Sequence, residues 1–309
     1  MEDIKLAYPI HTLENIELFP AEATLSQDSL EALIASNKSS QPLVCLMQYG
    51  SVKKDIWSYI SEPPYTAIFY DSKKKRDLFN VMEKVEVISP ILRCLDYYKE
   101  NEIYTYRHML TVFTLSVFLA KSLIPEYKPM LPEFAAAPAH DFGKICVPLN
   151  ILKKKSPLSK SEHKRLKHHP LAGYVLLSYY LRDSQNITAI VARDHHERRD
   201  SSGYPRGIYQ SGKMVEIITV GDIYDALISP RPYRPLSYDN RPALEVLTEM
   251  AERNKIGWDV VKVLIGEYRK GKSDYKTIVI SEEKRGGSPP GNAYGILSDK
   301  NIPPDDDKG

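Results

Sequence analysis

The stretch HHERRDSSGYPRG, residues 195–207, decides how this chain is read. His195-His196 are followed at once by an acid, Glu197, and seven residues later by Tyr204-Pro205. Outward from it, His140-Asp141 stands upstream in AHDFGK (139–144), and Asp222 stands downstream in an otherwise apolar run. Histidine is the commonest metal ligand, and aspartate can bridge two cations. Each element alone is weak, because an HH pair often marks a frayed surface terminus and a lone HD pair means little. An ionised Asp222 among apolar neighbours is costly unless it is paired or coordinates a metal. Together these residues predict a metal centre assembled from several helices.

The surrounding sequence is organised in two halves. Residues 1–88 predict a small α/β module with a regulatory or packing role: LVCLMQYG (43–50) and YTAIFYD (65–71) read as strands, and 26–37 as a helix with Ser26 as its cap. From 89 to 280 the apolar period becomes helical. One long helix is expected around Leu110, Phe113 and Val117 and carries His108. A proline-punctuated linker leads to a short helix ending at His140-Asp141. Ser159-Lys160-Ser161-Glu162 is a capping box opening a helix that stops near His169-Pro170. Further helices are expected at about 186–196, 215–228, 240–252 and 258–268, making this domain all-α and the chain mainly α. Residues 281–309, rich in Gly, Pro, Ser and acid, read as a flexible tail.

Composition narrows the function class. A net charge of +2 gives no global argument for DNA or an anionic membrane. Three scattered cysteines, Cys45, Cys94 and Cys146, fit a reducing compartment and not a disulfide framework. With an acidic start and no apolar core, no signal peptide is expected, and the longest apolar stretch falls short of the about 20 residues a membrane span needs. A cytoplasmic protein is expected. His168 reads as a solvent-facing neighbour of His169, and His11 and His163 as exposed histidines with no role.

Five stretches, YTYRH (104–108), AHDFGKICVP (139–148), HHPLAG (168–173), HHERRDSSGYPRG (195–207) and GDIYDALISPRPYR (221–234), resemble the HD-GYP domains in order and spacing. These are a branch of the HD superfamily of metal-dependent phosphohydrolases. The resemblance implies an all-α fold with His108, His140, Asp141, His169, His195, His196 and Asp222 as metal ligands, Asp141 bridging. It implies that Lys144 meets a substrate phosphate, that Arg231 and Arg234 approach it too, and that Tyr204 lines the substrate groove. Asp225 is expected to support the site instead of binding metal. Two divalent ions are implied, iron by family precedent, with manganese or zinc compatible with the donors.

The implied activity is hydrolysis of cyclic di-GMP to linear pGpG and on to GMP by a hydroxide shared between the two metals, with Asp141 and Lys144 in catalytic roles. One alternative is an inactive cyclic di-GMP receptor whose GYP loop binds a partner such as a diguanylate cyclase (GGDEF) domain. Another is an HD phosphohydrolase acting on a different nucleotide. Departures from the family pattern fall around the groove. Tyr104 stands where some members carry a glutamate for a third metal, and Pro138 interrupts the helix before His140-Asp141. Ser201 replaces a glycine of the GYP signature, and Arg234 a lysine.

Overall fold

In the computed structural model, residues 3–230, 236–269, 274–281, 283 and 289 are described. Short antiparallel pairs, helices and 3-10 turns form the first part. Strand β1 (Ile4–Lys5) pairs with β4 (Thr24–Leu25), and β2 (Ile10–His11) with β3 (Glu17–Phe19). Helix α1 (Gln27–Ser36) follows, opened as expected by Ser26 in a reciprocal cap with Ser29. Strand β5 (Leu43–Cys45) pairs with β6 (Glu86–Ile88), and between them lie α2 (Val52–Ile60) and α3 (Ser72–Met82).

The expected strand at 65–71 is instead a 3-10 turn, Tyr65–Ala67, leading to Asp71 as the cap of α3. Burial explains the difference. Tyr65, Ile68 and Phe69 are buried, a helical i, i+3, i+4 spacing, and the backbone amides of Ile68 and Phe69 both donate to the Tyr65 carbonyl. The strand expected at 43–50 likewise ends at Cys45, where a 3-10 turn begins.

The helical part is α4 (Ser89–Asn101), α5 (Ile103–Leu123), the short α6 (Leu149–Leu152), α7 (Lys160–Leu166), α8 (His169–Leu181), α9 (Ile187–Asp194), α10 (Lys213–Ile228), α11 (Asn240–Glu252) and α12 (Trp258–Tyr268). Helices α5 and α10 are apolar on almost every side. Helix α5 buries Met109, Leu110, Val112, Phe113, Leu115, Val117 and Leu119, and α10 buries nearly every residue it has. A helix hydrophobic all round belongs in the centre of a domain, and α5 and α10 pack on each other there. Ile103 is exposed in the first turn of α5, where Glu102 accepts from the amides of Tyr104 and Thr105.

Between α5 and α6 the chain does not form the α-helix expected before His140-Asp141. Residues Lys128–Ala139 wind as 3-10 helix, with Pro132 and Pro138 inside. Each proline removes an amide donor and crowds the carbonyl of the preceding turn, which favours the tighter helix over an α-helix. A second 3-10 piece, Phe142–Cys146, packs on α8. Helix α7 keeps its capping box of Ser159 and Glu162, but His169-Pro170 opens α8 instead of closing α7. One continuous cluster of buried side chains runs from Leu6, Ile56 and Val87 to Phe113, Leu176 and Ile218. Among the described residues no helix is long and apolar enough to cross a membrane.

The approach of the second 3-10 piece to α8 requires glycine at 143. A Cβ there would lie 2.0 Å from the His169 carbonyl oxygen and 2.3 Å from the Gly173 amide. Gly143→Ala is therefore expected to destabilise the protein by about 3 kcal/mol, the upper end for overpacking. Chemical denaturation checks this; a loss below about 0.5 kcal/mol would contradict the packing described.

Candidate metal centre

Five chain segments deliver the histidines and aspartates singled out in the sequence. His108 lies in the second turn of α5, and Asp222 and Asp225 lie one turn apart on the facing side of α10. His140 and Asp141 join the two 3-10 pieces. His169 is the first residue of α8, and His195 and His196 follow the last turn of α9. The seven predicted ligands come together, and all but Asp222 and His196 are almost wholly buried.

Asp141 sits at the centre. Its Oδ2 is 3.4 Å from His140 Nε2 and 3.5 Å from His108 Nε2, while its Oδ1 is 3.4 Å from His169 Nε2 and 3.9 Å from His195 Nε2. The carboxylate thus shows one oxygen to each of two donor groups. Asp222 Oδ1 joins the first group, 3.0 Å from His108 Nε2. His196 joins the second, with ligand atoms of His169, His195 and His196 within 4.8 Å of one another.

Tautomers follow from the hydrogen bonds. Nδ1 of His140 lies 2.7 Å from the Ala137 carbonyl, Nδ1 of His169 2.8 Å from that of Leu166, and Nδ1 of His195 3.0 Å from that of Ala192. A carbonyl only accepts, so each Nδ1 carries the proton and each Nε2 presents a lone pair. His108 Nδ1 faces the Asp225 carboxylate at 2.6 Å, with the same result. Yet His108 Nε2 and His140 Nε2 are 3.3 Å apart, as are His169 Nε2 and His195 Nε2. Lone pairs opposed at that distance beside carboxylate oxygens call for cations between them. The donor set fits two divalent ions, one among His108, His140, Asp141 and Asp222, the other among Asp141, His169, His195 and His196.

The electrostatics favour the ligating forms. Burial pushes His169 down to about 3 and His195 to about 4, so both imidazoles are neutral near pH 7. Burial likewise lowers His196 well below its ordinary value. For Asp141 burial acts upward, but the Lys144 ammonium, 2.5 Å from Oδ2, holds the carboxyl well below the usual range.

The expected substrate contacts divide. Tyr204 stacks on the His196 ring at 4.6 Å, and the Lys167 ammonium lies 4.7 Å over the other ring of that stack, Tyr204. Arg231 and Arg234 lie outside the described residues. Tyr104 is part-exposed, with no carboxylate at that position. His168, read as solvent-facing, is buried with its ring edge-on to Tyr8 at 5.6 Å, because the N-terminal segment covers it.

Sequence reasoning gave Glu197 no role. It is fully buried, accepting from the amides of Arg206 at 2.7 Å and Ile208 at 3.1 Å, so it ties the GYP loop to the ligand pair beside it. The acid directly after HH was the available signal. Tyr65, Thr111 and Ser229, which surround Asp225, carried no such signal.

Residues 118–260 match the HD domain family. A cyclic di-GMP phosphodiesterase response regulator, RpfG, of Xanthomonas campestris pv. campestris is 44% identical over 101 residues, 32% of this chain and 27% of that protein. A cyclic di-GMP phosphodiesterase of Thermotoga maritima is 36% identical over 159 residues, 51% of this chain and 41% of its own length. The 3'3'-cGAMP-specific phosphodiesterase 1 of Vibrio cholerae is 28% identical over 196 residues, 62% and 44% of the two lengths. The matched stretches span less than half the length of each of these relatives. They agree with the HD-GYP resemblance drawn from the motifs.

The neutral buried histidines of this centre make the protein's stability depend on pH. Unfolded, His169 and His195 take up protons near their ordinary value of 6.5; folded, they resist to about 3 and 4. Between those limits the unfolded chain binds more protons, so their contribution is complete above pH 6.5 and is lost as pH falls. The Tm of the metal-free protein is expected to drop steadily from pH 7 to pH 4.5; a flat Tm across that range would count against neutral buried imidazoles.

Proposed function

We propose that this HD domain is a metal-dependent phosphodiesterase that opens a cyclic dinucleotide, cyclic di-GMP to linear pGpG and on to GMP. The observation that carries the reading is the pair of opposed Nε2 lone pairs on either side of Asp141. When bound, two divalent cations supply Lewis acidity that lowers the pKa of water and neutralises charge on phosphoryl oxygens. Imidazole and carboxylate donors suit iron, manganese or zinc, and iron is the expectation here.

The chain's own residues supply the rest. Asp141 turns one carboxylate oxygen to each donor group and so fixes their separation. Lys144, held on Asp141 Oδ2, brings a fixed positive charge to the edge of the centre, where a phosphate oxygen gains from it without proton transfer. Tyr204, stacked on His196, offers a ring face on which a nucleobase can lie beside the centre. Arg231 and Arg234 are assigned to further phosphate contacts from the motif alone.

A second reading, 3'3'-cGAMP as substrate, is favoured by the likeness to a relative named for that nucleotide. In the scaffold reading, where the GYP loop holds a GGDEF domain, nucleotide binds without turnover.

Protein loaded with iron under reducing conditions, or with manganese, is expected to contain two ions per chain and to convert cyclic di-GMP to pGpG. Parallel assays on 3'3'-cGAMP rank the substrates. Full metal loading without turnover of either nucleotide overturns the enzymatic reading, and three ions per chain overturns the reading of Tyr104. Asp141→Ala should abolish both metal content and turnover, whereas a variant still holding two ions would refute its bridging position.

A further inference from the structure

The ligand imidazoles are not oriented alike. His140 and His195 stand at helix C-terminal ends and His169 just beyond the last residue of α7, where carbonyls left without an intrahelical partner accept their Nδ1 protons. His108 lies inside α5, whose carbonyls are engaged by the helix itself. Its Nδ1 depends on a side chain, Asp225 Oδ2 at 2.6 Å.

Asp225 is in turn held by hydroxyls. Its Oδ1 accepts from Tyr65, from Thr111 at 2.6 Å and from Ser229 at 3.1 Å. The Thr111 hydroxyl also lies 3.0 Å from the Arg107 carbonyl and 3.1 Å from that of His108, so its one proton is contested. Ser229 Oγ lies 2.6 Å from the Tyr65 hydroxyl. The phenol is the most acidic of the three donors and the strongest partner for a carboxylate.

Thr111 and Ser229 come from α5 and the end of α10, but Tyr65 comes from the 3-10 turn within the first 88 residues. It lies outside both the HD domain match and the five motif stretches. The turn is fixed in place: Tyr65 is fully buried, Arg107 lies over its ring at 5.8 Å, and Asn240 of α11 donates to the Pro64 carbonyl at 3.1 Å.

We infer that Tyr65 is a positioning residue for the metal centre, holding Asp225 so that His108 keeps its proton on Nδ1 and presents Nε2. A residue of the first 88 then supports one of the two ion sites and leaves the other untouched. This rests on the metal-centre reading above.

The test is a cobalt(II) titration of the metal-free full chain, read by visible absorption as two binding steps. Tyr65→Phe keeps the ring and removes only the hydroxyl. It is expected to weaken one step by roughly 10–100-fold, leave the other unchanged, and shift the Tm of the metal-free protein only slightly. Asp225→Asn should weaken that same step. Two steps of wild-type affinity in Tyr65→Phe overturn the inference, and so do two steps weakened equally with a large fall in Tm, the mark of general destabilisation. Wild-type protein that binds no cobalt overturns the metal-centre reading instead.

Discussion

A carboxylate with almost no exposure, ringed by imidazole nitrogens that cannot donate to it, is the constraint on which the rest of this molecule turns. Asp141 has four Nε2 atoms between 3.4 and 3.9 Å from its oxygens. The hydrogen bonds at the far sides of the rings commit their protons elsewhere. Without cations, the main compensation for the buried charge is the Lys144 ammonium. Burying a charge so poorly matched by protein donors lowers stability. A fold keeps such an arrangement where function requires it.

The irregular backbone follows from that constraint. A regular α-helix offers few unengaged carbonyls, so imidazoles whose Nδ1 must be held by the backbone gather at helix ends. The 3-10 segments with Pro132 and Pro138, the start of α8 at His169 and the end of α9 at His195 supply such ends. Gly143 and Gly173 then let the segment after Asp141 approach α8 closely enough for His169 to reach Asp141.

The sequence made the helical half legible because its apolar residues repeat with the helical period and its caps are explicit. Ser159 and Glu162 close a capping box, Ser26 caps where expected, and α9, α10, α11 and α12 begin within two residues of their expected starts. The chemistry was legible because histidines are few and stand next to acids. What stayed hidden lies in tertiary burial. YTAIFYD has the composition of a strand, yet its buried positions are those of a helical turn packed on α5, with Phe69 against Phe118. His168 is polar and adjacent to a ligand, and only the fold brings Tyr8 over it. No local signal joins Tyr65 to Asp225 across 160 positions.

The GYP signature gains a physical reading from the same geometry. Glu197 binds the loop amides of Arg206 and Ile208, and the Tyr204 amide returns to the His196 carbonyl at 3.2 Å. Gly203 is required for this closure, since a Cβ there would fall 2.4 Å from the His196 carbonyl oxygen. Ser201, where the family pattern has glycine, keeps a left-handed φ of 61° and so bears a strain that glycine avoids. The departure from pattern therefore costs local stability while leaving the loop path intact. Tyr204 remains stacked on a candidate ligand, and the groove stays mechanically joined to the metal centre through Glu197 and His196.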